Sequence, residues 1–178
     1  MKRWAMKSQF DQESFDSIYD SWKKLCDNSK TAPIFSSPEW SRVWWQQFGS
    51  QAKLYLGAAR EGSKTIGIAP LQVNDDVASF IGGSDVCDYL DFVVEPGSED
   101  VFFSQLLDNL KARGIKRLEL NPLRPDSTAR TSLINAATKY KWRAACSQED
   151  VTVELNLPPT WEEYLKLLSG KQRHELNR

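Results

Sequence analysis

Residues 53–73, KLYLGAAREGSKTIGIAPLQV, decide how this chain is built. Two runs rich in Leu, Ile, Val and Ala flank the turn Glu61-Gly62-Ser63, which reads as an antiparallel hairpin. Working outward from it, VASFIGG and DYLDFVV continue the sheet on the carboxyl side. On the amino side, FSSPEWSRVWWQQFG signals a helix: Ser37 caps, Pro38 suits the first helical position, and Glu39 favours the positive helix end. Trp40, Val43, Trp44 and Phe48 are expected to share its buried face, with Gly49 ending it. Before it, Phe15, Ile18, Tyr19, Trp22, Leu25 and Cys26 recur at helical spacing over about four turns. A first short strand is expected at residues 3–8.

Beyond the sheet, a third helix starts at Ser98 and lines up Phe103, Leu106, Leu107 and Leu110 before Gly114 stops it. RLELN follows as a strand with Leu118 and Leu120 on one side, and a helix over about 128–140 uses Leu133, Ile134 and Ala137. WRAACSQ and VTVELN read as the last two strands. The expected order, β-α-α-β-β-β-α-β-α-β-β, is an α/β layered domain around a mixed sheet flanked by helices.

Bulk properties narrow the function classes. With 178 residues the chain fits one ordinary domain, and 23 basic against 24 acidic residues leave a net charge of −1. That balance gives no support to broad electrostatic binding of nucleic acid or an anionic membrane. Three scattered cysteines (Cys26, Cys87, Cys146), without a CxxC and beside a single histidine, argue against a disulfide framework or a metal site. No stretch approaches the ~20 apolar residues of a membrane span, and the amino terminus lacks the apolar run of a signal peptide. A soluble cytoplasmic protein is expected.

Three segments carry a resemblance: FSSPEWSRVWWQQFG, GGSDVCDYLDFVV and LPPTWEEYLKLLSGKQRHELNR look like the signature segments of the CelD-like and FemAB-like branch of GNAT acyltransferases. The last is the most specific, holding Trp161, Tyr164, Leu165, Leu168, Lys171, Arg173, Leu176 and Arg178 in one register. The resemblance implies a GNAT-like domain over 1–157, followed at 158–178 by an interdomain helical segment. Beyond that segment it implies a second GNAT domain as the chain's main partner, since the branch resembles two GNAT domains in tandem. It also implies transfer of an acetyl or aminoacyl group to an amine or hydroxyl of an exopolysaccharide or cell-envelope precursor. The donor would be acetyl-CoA or another acyl donor in the full-length protein, and the acceptor a small molecule or glycan. In GNAT enzymes the donor pyrophosphate lies on backbone N–H groups of a glycine-rich turn before a helix. Here the corresponding loop reads VVEPGSEDVFF, with one glycine, a proline that removes a donor, and Glu99 and Asp100 in the first helical turn. No acyl donor is therefore expected on this chain.

The remaining candidates concern the acceptor. In SDVCDYLD, on a strand, Tyr89 and Asp91 share one face while Asp88 faces the other with Leu90. These carboxylates suit an amine, sugar hydroxyls or a general-base role, against the blander reading of solvated turn caps. Lys171, Arg173 and His174 form a basic cluster fit for a phosphate of a nucleotide-linked or lipid-linked substrate, against that of a solvated helix surface. Of seven tryptophans, Trp22, Trp40, Trp44 and Trp161 fall on apolar stripes and are expected in the core; Trp45, off the stripe, is the better candidate for an exposed sugar platform, against the favoured reading of packing. Thr160 with Glu163, and Ser169 with Gln172, can each cap a helix in the final segment; Trp161, Tyr164, Leu165 and Leu168 give the first of these helices a face expected to be buried. No catalytic residue is assigned, and no P-loop, HExxH or Ser-His-Asp arrangement occurs. The alternative to an enzyme is a non-catalytic GNAT-like docking module for a glycan or a partner protein.

Overall fold

The computed structural model describes residues 8–29, 32–151, 153–176 and 178. The chain divides into two compact units, Met1–Ala145 and Cys146–Arg178. In the first, the described elements are β1 (Ser8–Glu13), α1 (Phe15–Asn28), α2 (Pro38–Phe48), β2 (Lys53–Glu61), β3 (Lys64–Asn74), β4 (Val77–Phe80) and β5 (Val93–Val94). They continue with α3 (Glu99–Ala112), β6 (Arg117–Glu119), a π-helical turn at Ala129–Leu133 and α4 (Ile134–Lys139). The strand expected at 3–8 lies, except for Ser8, outside the described residues; β1 begins at Ser8.

The hairpin is as the sequence reads. β2 and β3 pair antiparallel around Gly62, whose φ of +62° suits a residue without Cβ. Sheet order is β1-β2-β3-β4-β6, antiparallel until β4 meets β6 in parallel. One slip marks β2–β3: Ala59 faces Gly67 and Arg60 faces Thr65, so Ile66 is the extra residue of a bulge. Central strands here are buried on both faces, which is why they read as near-continuous apolar runs. On one face Tyr55, Ala59, Ala69 and Leu71 pack with Phe102, Phe103, Leu106 and Leu107 of α3. On the other, Leu56, Ala58 and Ile68 pack with Ile18 and Trp22 of α1. Gly67 is required by its neighbour, since a Cβ there would stand 2.4 Å from the Phe102 ring. Trp22 is fully buried and its indole N–H donates to Ser36 O at 2.9 Å, so the largest core side chain satisfies its one polar atom.

Both amino-terminal helices are capped, α2 as its sequence suggests. Ser14 and Ser17 form a capping box on α1, and Ser37 accepts from Trp40 N–H on α2. The expected buried face of α2 is corrected in part. Trp40 and Trp44 pack against the two core clusters, but Val43 and Phe48 are exposed. Trp45 is half-buried against the α1-side cluster and lies over Gly49, so it is no exposed platform.

Two other expectations change. DYLDFVV forms a strand only at Val93–Val94, and Asp88–Phe92 is irregular. WRAACSQ and VTVELN form no strands among the described residues, and Val151, Val153, Leu155 and Leu157 stay exposed. The alternation of VTVELN is a strand pattern, but a strand exists only where a neighbouring ladder takes its N–H and C=O groups.

In the second unit, α5 (Trp161–Leu167) and α6 (Gly170–Leu176) follow the capping residues read from sequence. Thr160 Oγ1 accepts from Glu163 N–H, and Ser169 and Gln172 exchange bonds reciprocally. The expected burial of α5 is corrected: Tyr164, Leu165 and Leu168 are half-buried and Trp161, stacked on Tyr164, is exposed. A helix of about two turns gains little from its own hydrogen bonds, so both depend on side-chain packing for order.

Candidate functional site

β4 and β5 both pair with β3, β4 at Leu71–Asn74 and β5 at Gly67–Ile68. One side of β3 is thus shared by two short strands, and residues 81–92 leave the sheet between them. This excursion contains the SDVCDYLD run. Its departure is fixed by Ile81 N–H to Pro70 O at 2.9 Å, and its return by Leu90 N–H to Pro122 O at 2.9 Å. Cys87 and Leu90 anchor it in the core, which leaves Asp88 exposed and Tyr89 half-buried.

Asp91 occupies a different place from the one its sequence suggests. It is 8% exposed, and its carboxylate accepts three backbone N–H groups: Phe92 at 2.9 Å, Thr128 at 2.6 Å and Ala129 at 3.0 Å. Thr128 and Ala129 open the helix that leads into α4, so the carboxylate caps a helix 37 residues away. Behind it, the Ser36 hydroxyl accepts from Asp91 N–H at 3.0 Å and donates to Asp91 O at 3.1 Å. Burial pushes the Asp91 carboxyl above the ordinary carboxylate range, and the three N–H bonds oppose that rise without cancelling it. A carboxylate so committed cannot also grip a ligand through both oxygens. In this structure Asp91 serves as a helix cap, with both carboxylate oxygens taken up by backbone N–H groups.

A recess of about 10 Å³, room for one water, opens beside it between Pro33, Tyr89, Leu90, Asp91, Arg124, Asp126 and Ser127. The Arg124 guanidinium lies 5.3 Å from the Tyr89 ring centre, and its Nε donates to Asp126 at 3.0 Å. The ion pair holds the Asp126 carboxyl below its usual range. Sequence reading missed Pro33, Arg124, Asp126 and Ser127. The turn signals of NPLRPDS mark a helix start, yet no local signal ties that start to residue 91.

Lys171, Arg173 and His174 all lie exposed on α6. Lys171 lines an open groove within the second unit with Tyr164, Leu168, Gln172, Glu175 and Leu176; Arg173 and His174 do not. The six candidate residues are thus divided: Asp88, Tyr89 and Asp91 on the excursion, Lys171, Arg173 and His174 on α6 of the second unit.

The loop at the head of α3 gives the fit of an acyl-CoA pyrophosphate. Gly97, at φ +88°, turns its N–H to Glu99 Oε2 at 2.9 Å, and Ser98 N–H donates to Glu95 O at 3.0 Å. Pro96 has no N–H to offer, and Glu95 is paired with Lys64 at 2.5 Å. The Gly97 and Ser98 amides serve the loop's own acceptors, and Glu99 and Asp100 add negative charge in the first helical turn. These residues do not fit the group. Elsewhere, burial pushes the Cys26 thiol up to about 11, so it is no activated nucleophile. Among the described residues, no three or more His, Cys, Asp or Glu side chains are grouped to hold a metal. No helix among them is long and apolar enough to cross a membrane.

This architecture defines a class. The mixed sheet flanked by helices is the fold of the GNAT acetyltransferases. The chain is similar to the ribosomal-protein-S18-alanine N-acetyltransferase from Escherichia coli, with a TM-score of 0.50 at 16% identity over 73% of this chain and 76% of that one. It is also similar to the aminoglycoside 6'-N-acetyltransferase AAC(6')-Ih from Acinetobacter baumannii, with a TM-score of 0.42 at 13% identity over 85% and 100%. No family model matches the sequence, and no curated protein matches it.

Proposed function

We propose that this chain contributes the acceptor side of a GNAT-type acyl transfer, with the acyl donor held by other residues than these. The observation that carries the reading is the loop at Glu95–Glu99, in which Gly97 N–H is bonded to the Glu99 carboxylate instead of standing open to a phosphate. The sequence resemblance supports an amine or hydroxyl of an exopolysaccharide or cell-envelope precursor as the acceptor, and a second GNAT domain as the holder of the donor. In the first unit Tyr89 and the exposed Asp88 are the groups that an acceptor would meet. Taken by itself, the α6 cluster of Lys171, Arg173 and His174 in the second unit suits a phosphate.

The test is calorimetric titration of the 178-residue chain with acetyl-CoA. No saturable heat is expected at micromolar to millimolar donor; a saturable micromolar isotherm overturns the reading. The closed loop equally suits a non-catalytic docking module for a glycan or partner protein. The two part on acyl transfer by the full-length protein: activity that falls at least tenfold in Tyr89→Ala and Asp88→Asn supports the acceptor role, and wild-type turnover in both removes it.

A further inference from the structure

Among the described residues Asp91 is the one buried carboxylate, and the proposed chemistry leaves it unused. Its bonds are of unusual reach. They join the end of the 81–92 excursion to the Ile34–Ser36 turn before α2 and to the helix start at Thr128. Tyr89 lies just before the two tied residues, Leu90 and Asp91. Arg124 lies between the two partners on the opposite segment, Pro122 and Thr128. These ties therefore set the separation of the two backbone segments that carry Tyr89 and Arg124.

We propose that Asp91 is the positioning residue of this site: its ionised carboxylate, with Ser36 behind it, holds the excursion at the register that sets Tyr89 beneath Arg124. The inference rests on the reading that this face serves the acceptor. An amide could not replace the carboxylate, because Asn offers one acceptor oxygen and turns an NH₂ donor toward an N–H group. Protonation does the same to one oxygen, converting an acceptor into a donor. The charged and titratable groups around the carboxylate are Tyr89, Arg124 and Asp126 at the recess and Arg130 on the exposed side of the helix. The Pro33–Ser37 stretch contributes none. Burial raises the proton affinity of Asp91, so its ionisation is separable from that of exposed carboxylates.

Proton NMR of the whole chain tests this without any substrate. The Tyr89 ring, 5.3 Å from the Arg124 guanidinium, is expected to displace the Arg124 side-chain resonances upfield, and Tyr89→Leu to identify that displacement by abolishing it. On titration from neutral to acid pH the displacement is expected to collapse with the midpoint of the Asp91 carboxyl carbon. It should do so equally in an Asp126→Asn background. At neutral pH, Asp91→Asn and Ser36→Ala are expected to remove more than half of it while β2 and β3 amide resonances stay in place. A displacement that is flat through the Asp91 titration overturns the proposal, as does one that survives in folded Asp91→Asn. The titration uses the unsubstituted chain, so it decides even if a variant fails to fold. Neither outcome bears on donor calorimetry, and the two readings fall separately.

Discussion

Two carboxylates flank β5, and each accepts backbone N–H groups, yet they build opposite kinds of structure. Asp91, before the strand, is buried and reaches amides 37 and 38 residues away. Glu99, after it, is bound two residues back to Gly97 in the open. The same chemistry makes a tertiary tie in one place and a local lock in the other, because burial removes water as a competitor only at Asp91. The first organises a face of the domain. The second closes a turn that in a donor-binding GNAT domain would stay open.

This contrast can be broken experimentally. Asp91→Ala strands two buried N–H groups and a half-buried third and uncaps a helix, and should cost about 3 kcal/mol in urea unfolding. A loss below about 1 kcal/mol would mean that the tie is replaced by water at little cost. Next comes Gly97→Ala. Nothing lies within 4 Å of the added Cβ, but φ is +88°, so strain alone should cost about 1 kcal/mol. The pH dependence sharpens the contrast further. Because the folded-state proton affinity of Asp91 is raised, the native state holds more proton between the ordinary carboxylate range and the raised value. The proton-linked part of its contribution to stability is full below that window and is lost as pH rises through it, because the cost of burying the charge exceeds what the three N–H bonds return. The difference in urea midpoint between wild type and Asp91→Asn should decline across that window, and a rising difference contradicts the assignment. Smallest is Glu99→Ala, at less than about 0.5 kcal/mol, since the bond is solvent-exposed. Its instructive readout is acetyl-CoA calorimetry. No binding is expected even with Gly97 N–H released, because Pro96 and the charges of Glu95 and Asp100 remain.

Most of the fold was legible because its signals are local. Capping residues Ser37, Thr160 and Ser169, the turn at Gly62 and the α3 stripe each depend on neighbours within a few residues, and all appear as read. Failures came where the outcome depends on distant partners. VTVELN has strand alternation but lacks a ladder, so Val153 stands 91% exposed. Trp45, off the apolar stripe of α2, leaves a platform open in sequence beside the favoured packing; it packs, against the α1-side cluster. Asp91 sits in a run of aspartates that reads as surface. Only its contact with residues 128 and 129 reveals it as a buried cap. For the same reason Arg124 could not be found from sequence, since its neighbour Tyr89 is 35 residues earlier and no periodicity connects them.

The division of one sheet position between β4 and β5 has a consequence for how such a face can change. Both strands take their register from β3, so the length of chain between Phe80 and Val93 is not set by the ladder on either side. Added residues there cost only the slowly growing entropy of a longer loop, about 0.6 kcal/mol per doubling. Insertion within β2 or β3 would instead turn buried side chains to the wrong face. Relatives of this domain can therefore be expected to vary in length between residues 82 and 88, while the two flanking strands and the Asp91 cap keep their spacing.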